Sequence, residues 1–447
     1  MNLKKVSDGL HKLNTSQIIA LGFAGVIFVG GLILWMPFCS APGQAVTFPD
    51  AVFTAATSVC VTGLSTVVMA VQWSPIGKAV ILCLIQIGGI GLIALANMIF
   101  ISLRRKISLK NRRIIKESYN LDEMGGVVAV VRSVVKCVFL AEGIGAVLYA
   151  FCFVPEFGIK KGLVHAIFLA VSAFCNAGID LMGIRIPFSS LTLYAANPLV
   201  NLVIMALIII GGIGFLTWED IRSNHLHFSR YRMQSKVILT TTAILILLPA
   251  LYFYFGEFRQ GGFGTRILLS LFQSVTPRTA GFNTADFSKL TESGQILTII
   301  LMLIGGSPGS TAGGMKTTTV AVLTSTAVSV FRRNENPELF KRRIAPETVA
   351  NAASILMMYL CLCLTGAFLI SRIEELPMMA CMFETASAVG TVGLSFGITP
   401  GLGSISRIIL IILMYLGRVG GLTLIYAALS GHRIRFGKYP LEKITVG

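Results

Sequence analysis

Residues Phe53 to Ser65 read FTAATSVCVTGLS, and variants of this stretch recur three times further along the chain. Each copy is a short run of apolar and small residues that leads to a glycine. The four glycines are Gly63, Gly178, Gly281 and Gly393, and the residues ten positions earlier are Phe53, Phe168, Leu271 and Phe383. One copy alone would be an ordinary small-residue loop. Four copies at nearly even intervals predict a repeat architecture.

The composition restricts the chain to one class of protein. The 447 residues are 54% hydrophobic and 13% charged, with a mean hydropathy of +0.79, whereas a soluble domain is about 25% charged. We therefore expect an integral membrane protein rather than a soluble multi-domain protein. Met1 to Ser16 is polar and the first apolar run already has spanning length, so no cleavable signal is expected.

The net charge of +17 is compatible with a nucleic-acid partner, but the distribution of the basic residues indicates a membrane topology instead. Of the 37 Lys and Arg residues, 23 lie in five stretches, at 4–12, 104–116, 222–236, 332–343 and 433–443. These stretches follow every second apolar span or lie at the ends of the chain. The positive-inside rule places them, and both termini, in the cytoplasm. We expect the cell membrane as the location, lipid as a partner, and no nucleic acid.

Apolar segments of two lengths alternate along the chain. A spanning helix needs about 20 residues, and the candidates are Gln17–Met36, Gly77–Ser102, Gly125–Val154, Asn197–Trp218, Lys236–Phe255, Gln295–Val330, Thr348–Ile370 and Ser404–Leu429. Four segments of about a dozen residues are too short to span; these are Phe48–Ser58, Leu163–Phe174, Thr265–Val275 and Pro377–Ala388. We predict an all-α fold with eight transmembrane helices and four re-entrant half-helices.

These segments form four predicted repeats of helix, pore loop and helix. Their expected bounds are 1–103, 104–222, 223–333 and 334–430, followed by a basic cytoplasmic tail at 431–447. Each repeat crosses the membrane twice, so all four point the same way and are related by an axis along the membrane normal. Non-helical backbone at membrane depth must be buried in protein or line a watery cavity. The four loops are therefore expected to meet at a pseudo-four-fold pore, the alternative being tight turns in an ordinary helical bundle.

The four loops share backbone chemistry rather than side-chain chemistry. Carbonyl groups before each glycine can replace the hydration shell of an ion, and glycine allows four chains to approach closely. The half-helices direct their partially negative C-termini toward the axis, which favours a cation. The expected ion ligands are backbone groups of Val61, Thr62, Gly63, Asn176, Ala177, Gly178, Thr279, Ala280, Gly281, Thr391, Val392 and Gly393.

The loop sequences CVTGLS, CNAGID, RTAGFN and GTVGLS, at 60–65, 175–180, 278–283 and 390–395, resemble the filters of the Trk/Ktr/HKT potassium transporter superfamily. The similarity covers essentially the whole chain, and it is greatest to the bacterial Ktr-type membrane subunit. Glycine at all four positions goes with potassium preference in this superfamily. The resemblance implies K+ as the transported ion, Na+ as an activator, and no organic cofactor on this chain. It also implies a homodimer on a cytoplasmic ring of nucleotide-binding subunits.

Each repeat has a second small-residue motif beyond its filter glycine, reading GGIG at 88–91 and 211–214, GGSP at 305–308 and GRVG at 417–420. In the first two copies we interpret the glycines as sites of close helix packing. The third copy opens the stretch GGSPGSTAGGMK at 305–316, in which five glycines and a proline interrupt an apolar helix. We predict a movable gating loop there, as in Ktr-type subunits, with serine and threonine hydroxyls satisfying its backbone when closed. The gating residues are Gly305, Gly306, Ser307, Pro308, Gly309, Ser310, Thr311, Gly313, Gly314, Lys316 and Arg418.

Several charged residues lie within or between the apolar segments and motifs, among them Glu142, Arg278, Lys316, Glu384 and Arg418. A charge at mid-bilayer is costly, so Arg418 is expected either to face the aqueous path as an electrostatic barrier or to pair with Glu142. Lys316 is expected to extend toward the cytoplasm. Glu384 is expected to support the filter through hydrogen bonds, and Arg278 is expected to face away from the ion.

The function that these features favour is passive uptake of potassium through a gated, channel-like filter, regulated by a cytoplasmic nucleotide-binding partner. Inverted repeats, which are typical of rocking carriers, are not visible in the sequence. The alternative is a carrier that couples potassium to sodium or protons. A membrane-embedded enzyme is disfavoured because the loops share no acid/base or metal-binding set.

Overall fold

The computed structural model describes residues 15–91, 127–225, 227–260, 262–421 and residue 442. Within these ranges the chain is mostly helical, and the helices follow the predicted order. Several predicted features lie outside the described residues, although residue 442, in the tail at 431–447, is described. These are the basic stretches at 4–12, 104–116 and 433–443, the tail at 431–447, and the distal ends of the helices predicted at Gly77–Ser102 and Ser404–Leu429.

Each predicted repeat begins with a long helix, continues with a shorter one, and ends with an exit helix. The first contains α1 (Thr15–Trp35), α2 (Phe48–Val59) and α3 (Pro75–Ile90). The second contains α4 (Val127–Phe157), α5 (Ile159–Cys175), α6 (Pro198–Gly212) and α7 (Phe215–Asn224). The third contains α8 (Met233–Tyr252), α9 (Phe263–Val275), α10 (Glu292–Leu303) and α11 (Thr317–Phe331). The fourth contains α12 (Pro346–Glu374), α13 (Met378–Val389) and α14 (Ser404–Val419).

The exit helices differ from the prediction of eight continuous spans. Among the described residues, four helices are long and apolar enough to cross a bilayer, namely α1, α4, α12 and α8 with its extension to Glu257. The prediction of one helix over Asn197–Trp218 is wrong, because α6 and α7 meet at a bend of 98°. Gly91, Gly214 and Gly420 follow the ends of α3, α6 and α14 with φ values of 94°, 90° and 88°. Such left-handed backbone favours glycine, so the small-residue motifs end these helices as well as packing closely.

A short hairpin is a second departure from the all-α prediction. Strands β1 (Glu338–Leu339) and β2 (Arg342–Arg343) pair antiparallel within the basic stretch at 332–343. Phe340 and Lys341 connect them with φ values of 47° and 61°. Positive φ at both residues is typical of a two-residue hairpin turn. The hairpin is the only sheet in the described part of the chain.

The helices pack in a cyclic order around the four short helices. In each predicted repeat the long helix packs against the short helix that follows it, in the pairs α1–α2, α4–α5, α8–α9 and α12–α13. Each exit helix then packs against the short helix of the next predicted repeat, in the pairs α3–α5, α6–α9, α10–α13 and α14–α2. Because the last pair returns to the first repeat, the contacts close into a ring.

The outer surface is unusually apolar for a folded protein, and several hydroxyl side chains are buried. On the long helices, large apolar side chains face outward, and Phe28, Phe151 and Phe368 are 57%, 70% and 65% exposed. On the short helices, the hydroxyl side chains Thr57, Ser172, Ser274 and Ser387 are completely buried. Apolar residues usually fill the inside of a soluble protein. The structure therefore has an apolar outside, as expected for a protein embedded in lipid, and hydroxyl groups are buried next to the loops that follow the short helices.

An ion pair joins the two ends of the ring. Arg407 on α14 and Asp50 on α2 lie with Nη1 and Oδ1 2.8 Å apart, and both side chains are largely buried. The Thr66 hydroxyl also donates to Asp50 Oδ1, at 2.8 Å. Arg407 donates further hydrogen bonds to the Leu402 and Pro400 carbonyl oxygens, each at 2.9 Å. The pair therefore fixes the fourth predicted repeat against the first.

We predict that Arg407→Gln destabilises the protein, because it leaves the Asp50 carboxylate without its charged partner. Loss of a charged hydrogen bond in a partly buried site costs about 1.5–3 kcal/mol, so the thermal melting temperature in detergent should fall. The matched control is Lys289→Gln, which removes an exposed pair with Asp286 and should change stability by at most about 0.5 kcal/mol. Equal shifts for the two variants would contradict a role of the pair in closing the ring.

Candidate functional site

The four glycines of the repeated stretch lie against one another in the structure. A Cβ atom added to any of them would collide with the carbonyl oxygen before the next glycine. The distances are 2.7 Å from Gly63 to Ala177 O, 2.9 Å from Gly178 to Ala280 O, 2.2 Å from Gly281 to Val392 O, and 2.1 Å from Gly393 to Thr62 O. The order of these contacts is cyclic and returns to its start. The loops therefore form a closed ring, which we call the glycine ring, with these four carbonyl groups on it.

The backbone of every loop alternates in the same way. Positive φ occurs at each glycine and again two residues earlier, at Val61 (56°), Asn176 (59°), Thr279 (68°) and Thr391 (51°). The residue between them does not have positive φ. Alternating handedness turns successive carbonyl groups to the same side of the chain. Positive φ at a β-branched residue such as valine or threonine is uncommon, and strained backbone of this kind is concentrated at functional sites.

A hydroxyl group six residues before the glycine supports three of the loops. Thr57 accepts a hydrogen bond from Gly63 N at 2.9 Å, and Ser387 accepts one from Gly393 N at 2.9 Å. Ser172 accepts from Ile179 N at 3.1 Å. In the third loop the Thr276 hydroxyl instead donates to Phe282 O at 2.7 Å. Sequence reasoning did not identify these residues, although Ser or Thr recurs at the same distance before three of the glycines.

Glu384 supports the fourth loop as predicted. It is completely buried, and its carboxylate accepts hydrogen bonds from the Ser395 hydroxyl, from Phe396 N at 3.2 Å and from the Thr399 hydroxyl at 2.8 Å. The prediction for Arg278 also agrees with the structure. Its guanidinium donates to the Thr242 hydroxyl at 3.3 Å, and Thr242 lies on α8, the long helix of the same predicted repeat.

A cavity of about 160 Å³ adjoins the glycine ring, and all four glycines line it. The residues two positions beyond the glycines, which are all polar, line it as well: Ser65, Asp180, Asn283 and Ser395. Asp180 is the only ionisable residue of the lining. Its carboxylate accepts from Met182 N at 2.9 Å and from the Ser190 hydroxyl at 2.7 Å. The cavity is large enough for several water molecules, and its single negative charge favours a cation.

The predicted gating loop is a closed loop between α10 and α11. Two backbone hydrogen bonds join its ends, from Gly305 N to Met315 O at 2.8 Å and from Thr317 N to Gly306 O at 3.0 Å. The Ser310 hydroxyl donates to Ser307 O at 2.7 Å. The expected support of the loop backbone by hydroxyl groups is confirmed for Ser310. The Ser307 hydroxyl instead pairs with the hydroxyl of Thr317 at 3.1 Å.

The loop at 305–316 packs against the break between α6 and α7. The last carbonyl groups of a helix have no partner within it, and here the loop supplies their partners. Four hydrogen bonds connect the loop to the second predicted repeat: Ser307 N to Gly212 O (2.9 Å), Thr311 N to Gly211 O (3.2 Å), Phe215 N to Gly309 O (2.9 Å), and the Thr311 hydroxyl to Phe174 O (3.0 Å). The loop that interrupts the third exit helix thus supplies hydrogen-bond partners to the backbone groups at the break of the second exit helix.

The other side of the loop lies against the fourth filter loop. A Cβ atom added to Gly313 would lie 2.0 Å from Thr391 Oγ1, and one added to Gly314 would lie 2.9 Å from Gly390 O. Thr391 is two residues before the ring glycine Gly393. The loop at 305–316 therefore lies directly next to the glycine ring.

Arg418 connects three elements at this level. Its guanidinium donates to the carbonyl oxygen of Thr311 in the gating loop and to the carbonyl oxygens of Gly88 and Gly89 near the end of α3. The C-terminal end of a helix is partially negative, so these carbonyl groups are suitable partners for a cation. The alternative pairing with Glu142 is not formed.

Glu142 and Lys316 have other partners. Glu142 accepts two hydrogen bonds from Gln86 Nε2, at 3.0 and 3.2 Å. The expectation that Lys316 extends toward the cytoplasm is wrong. Its ammonium group turns back and donates to Ala312 O at 2.7 Å and to Gly313 O at 3.4 Å. The lysine thus caps carbonyl groups of its own loop.

Comparisons with known proteins show what the chain is similar to. A sequence model of the TrkH family, described as a cation transport protein, matches residues 33–432. The chain is 40% identical over 447 residues to the potassium/sodium uptake protein NtpJ of Enterococcus hirae, with 98% of each chain covered. It is 35% identical over 437 residues to the Ktr system potassium uptake protein B of Bacillus subtilis, with 96% of each chain covered.

A solved structure shares the fold. The crystal structure of the potassium transporter TrkH from Vibrio parahaemolyticus superposes with a TM-score of 0.73, covering 93% of this chain and 85% of that chain. The sequence identity of that pair is 18%, so the likeness concerns the arrangement of the helices.

We predict that Glu384→Gln loosens the fourth loop. Glutamine has one acceptor oxygen in place of two, and its amide group cannot accept from Phe396 N and both hydroxyl groups together. The expected loss is about 1–3 kcal/mol, typical of a buried polar group left unsatisfied. Hydrogen–deuterium exchange at Phe396 should become faster and the melting temperature should fall. The exposed Glu335 offers the control, Glu335→Gln, for which neither measurement should change; unchanged exchange at Phe396 in Glu384→Gln would refute the supporting role.

Proposed function

This chain belongs to the TrkH family of cation transport proteins, and from that membership we propose that it takes up K+ across the cell membrane through the glycine ring. Two similar proteins, from Enterococcus hirae and Bacillus subtilis, have potassium uptake in their names. The observation that carries the proposal for this chain is the cyclic contact of four glycines with the carbonyl oxygens of the neighbouring loops.

The proposed ion ligands are backbone carbonyl groups of the three residues that end at each ring glycine. Neutral carbonyl oxygens can replace the water around a monovalent cation, and their number and dipoles discriminate between ions. The adjoining cavity with Asp180 serves as the outer entrance, where a hydrated cation is attracted before it loses water. The C-terminal ends of α2, α5, α9 and α13 add partial negative charge toward the ring.

We infer that the fold consists of four helix–pore-loop–helix repeats with the bounds predicted from the sequence. The cyclic packing of short helices against the exit helices of preceding repeats supports this arrangement. The basic stretch at 332–343 includes the hairpin β1–β2 and lies on the cytoplasmic side by the positive-inside rule. Both termini share that side, and the glycine ring opens to the outside through the cavity that contains Asp180.

The loop at 305–316 is the proposed gate, with Arg418 as its anchor and as an electrostatic barrier. Its position directly next to Thr391 and Gly390 supports an obstruction of the path from the glycine ring. The hydrogen bonds to α6 and Arg418 support a defined closed position. Opening requires the loop to leave this position, and its peptide groups would then be hydrated by the water of the path.

Regulation is proposed to come from outside this chain. The name of the Bacillus subtilis relative designates protein B of a Ktr system, which supports a transporter made of more than one kind of protein. We propose a homodimer with one pore per subunit, attached to a cytoplasmic ring of nucleotide-binding subunits. The basic cytoplasmic stretches provide positive charge for this attachment and for lipid headgroups.

A sodium-linked mechanism is the second candidate. The Enterococcus hirae relative is named a potassium/sodium uptake protein, which favours sodium either as an activator or as a coupled ion. In a coupled carrier, a sodium gradient displaces the potential at which potassium flux reverses. In the channel-like mechanism with sodium as an activator, that potential stays at the potassium equilibrium value.

The proposed filter predicts a graded effect of serine at the four ring glycines. The added Cβ would be closest to a neighbouring carbonyl at Gly281 and Gly393, at 2.2 and 2.1 Å, and farther at Gly63 and Gly178. We expect Gly281→Ser and Gly393→Ser to abolish uptake. Gly63→Ser and Gly178→Ser should raise the half-saturating K+ concentration by about tenfold, which corresponds to 1.4 kcal/mol.

These variants are measured as K+ uptake in cells that lack other potassium uptake systems, corrected for the amount of protein in the membrane. Gly43→Ser is the matched control, because Gly43 also has positive φ (78°) but has no neighbour within 4 Å of an added Cβ. Potassium uptake that is normal in all four ring variants would overturn the proposed function.

The proposed gate predicts faster uptake in Gly313→Ala. The added Cβ would lie 2.0 Å from Thr391 Oγ1 in the closed position, so the loop must move away. A destabilisation of about 1.4 kcal/mol shifts the closed-to-open ratio tenfold. Maximal K+ flux per molecule in proteoliposomes should rise, while Gly401→Ala, with no neighbour within 4 Å, should match the unmodified protein. Flux that is unchanged or lower in Gly313→Ala would count against the gate.

A further inference from the structure

A carboxyl group that serves neither the proposed filter nor the proposed gate is buried in the middle of α4. Glu142 is 5% exposed and lies halfway along the helix Val127–Phe157, whose large apolar side chains, such as Phe151, face outward. No ion pair among the described residues includes Glu142. An ionisable group at this depth of a membrane is costly and usually marks a functional site. Its contacts therefore indicate its role.

The partners of Glu142 come from two other helices. Gln86 of α3 donates from Nε2 to both of its carboxyl oxygens, at 3.0 and 3.2 Å. The thiol of Cys175, the last residue of α5, donates to Gln86 Oε1 at 3.6 Å and to Glu142 Oε1 at 3.9 Å. The three side chains therefore form one hydrogen-bonded group at the junction of α3, α4 and α5, which we call the Glu142 cluster.

The Cys175 side chain has little room to move within this cluster. It is completely buried, and a Cβ atom added to Gly89 of α3 would lie 2.5 Å from Cys175 Sγ and 2.8 Å from Cys175 Cβ. Arg418 donates to the Gly89 carbonyl oxygen at 3.4 Å, so α3 is itself held at this level. The position of Cys175 is therefore set by its contact with Gly89 and by the Glu142–Gln86 pair.

Cys175 connects the Glu142 cluster to the second filter loop. It lies three residues before the ring glycine Gly178, and the next residue, Asn176, already has left-handed backbone with a φ of 59°. Ala177 N donates to Ser172 O of α5 at 2.8 Å, so the chain turns out of the helix directly after Cys175. A displacement of Cys175 would therefore be transmitted to the carbonyl groups of Asn176 and Ala177.

The third filter loop has a similar contact. Arg278 also lies three residues before its ring glycine, Gly281, and it donates to the Thr242 hydroxyl of α8 at 3.3 Å. In both loops, a polar side chain from the long helix of the same predicted repeat contacts the residue at this position. The recurrence indicates a point at which long helices support filter loops. Among the described residues, the second loop alone has a carboxyl group in this role.

From these contacts we propose that Glu142 is a positioning residue of the second filter loop, which acts through Cys175 on the carbonyl groups of Asn176 and Ala177 and thereby sets the affinity for K+. The inference rests on the proposed function, because these carbonyl groups are proposed ion ligands. Residues that support ligands from behind, through packing and hydrogen bonds, determine how precisely the ligands are held. Without the carboxyl group, Gln86 and Cys175 lose a common partner and the loop is held less precisely.

The first test compares removal of the acceptor with its conservation. Glu142→Leu removes the carboxyl group at similar volume, whereas Glu142→Gln keeps one acceptor oxygen for Gln86. The half-saturating K+ concentration and the maximal K+ flux are measured in proteoliposomes. Glu142→Leu should raise the half-saturating concentration by about three- to tenfold and leave the maximal flux within about twofold. Glu142→Gln should leave both values within about twofold of those of the unmodified protein.

The second test asks whether Glu142 acts through Cys175. Cys175→Ala removes the thiol and should also raise the half-saturating K+ concentration by about three- to tenfold. Residues of one network do not contribute independently, so Glu142→Leu/Cys175→Ala should match the larger single effect within about twofold. Single effects that multiply fully in the double variant would overturn the proposal.

Glu156→Leu is the matched control. Glu156 lies on the same helix, and its carboxyl group is bound by Arg185 at 3.0 Å and by the Tyr194 hydroxyl at 2.6 Å, not by a residue of a filter loop. The same substitution there should leave the half-saturating K+ concentration unchanged. An equal rise in Glu156→Leu and Glu142→Leu would overturn the proposal.

The melting temperature in detergent separates a positioning role from a merely structural one. A structural role alone predicts a changed melting temperature in Glu142→Leu with an unchanged half-saturating K+ concentration, and this result would refute the inference. Where Glu142→Leu does not fold, Gln86→Leu takes its place, because it removes the same pair from the other helix. A rise of about three- to tenfold in the half-saturating concentration of Gln86→Leu supports the inference, and an unchanged value refutes it.

The outcomes also distinguish the inference from the proposed function. If the unmodified protein shows no K+ flux in proteoliposomes, the proposed function fails and the role of Glu142 fails with it. If the unmodified protein transports K+ and the variants at 86, 142 and 175 have the same half-saturating concentration, the positioning role alone is refuted. A rise in Glu142→Leu and Cys175→Ala that does not multiply in the double variant, with normal values in Glu142→Gln and Glu156→Leu, supports it.

Discussion

The close approach of four backbones at one point is the constraint on which the rest of the structure depends. An added Cβ at any ring glycine would lie between 2.1 and 2.9 Å from a carbonyl oxygen of the next loop, so a side chain at any of the four positions would displace a neighbouring loop. The residues two places earlier are held in left-handed backbone at a cost of about 1–2 kcal/mol each for a residue with a Cβ. Hydrogen bonds to hydroxyl groups near the ends of the short helices, such as those from Gly63 N to Thr57 and from Gly393 N to Ser387, hold this strained geometry in place. The long and exit helices in turn hold each short helix from two sides.

Much of this arrangement could be predicted because it repeats in the sequence. A glycine that returns four times after a short apolar run indicates four similar loops, and the length of each run indicates a helix too short to span. The helix breaks at Gly91 and Gly214 were missed, because a glycine motif in an apolar helix is equally typical of close packing. The φ values show that the last glycine of each motif, Gly91 or Gly214, has the left-handed backbone, whereas the glycine pair before it does not. Nothing local in the sequence distinguishes these two roles.

The hydrogen-bond partners of the two cations near the loop at 305–316 could not be predicted. Arg418 was recognised as a costly charge, but its partners at Gly88 and Thr311 are far away in sequence and are backbone carbonyl groups, which every residue has. The same reason explains Lys316, whose partners Ala312 and Gly313 became available only through the shape of the loop. In contrast, Glu384 was placed correctly because a buried carboxylate next to a loop with several N–H and hydroxyl donors has few other ways to be satisfied.

The third predicted repeat departs from the other three, and this asymmetry makes one movable element possible within a rigid ring. Its exit helix is split by the loop at 305–316, and the loop fits into the break of α6, where Gly211 and Gly212 present free carbonyl groups. Each hydrogen bond of this docking contributes about 0.5–1.5 kcal/mol net when water can replace it. A handful of such bonds, opposed by hydration of the released loop in a watery path, leaves a closed state that is favoured without being locked. The glycine ring has no comparable freedom, because each of its four loops is in close contact with the next. The proposed gate can therefore move while the adjacent proposed filter stays fixed. This difference follows from the place at which the four-fold pattern is broken.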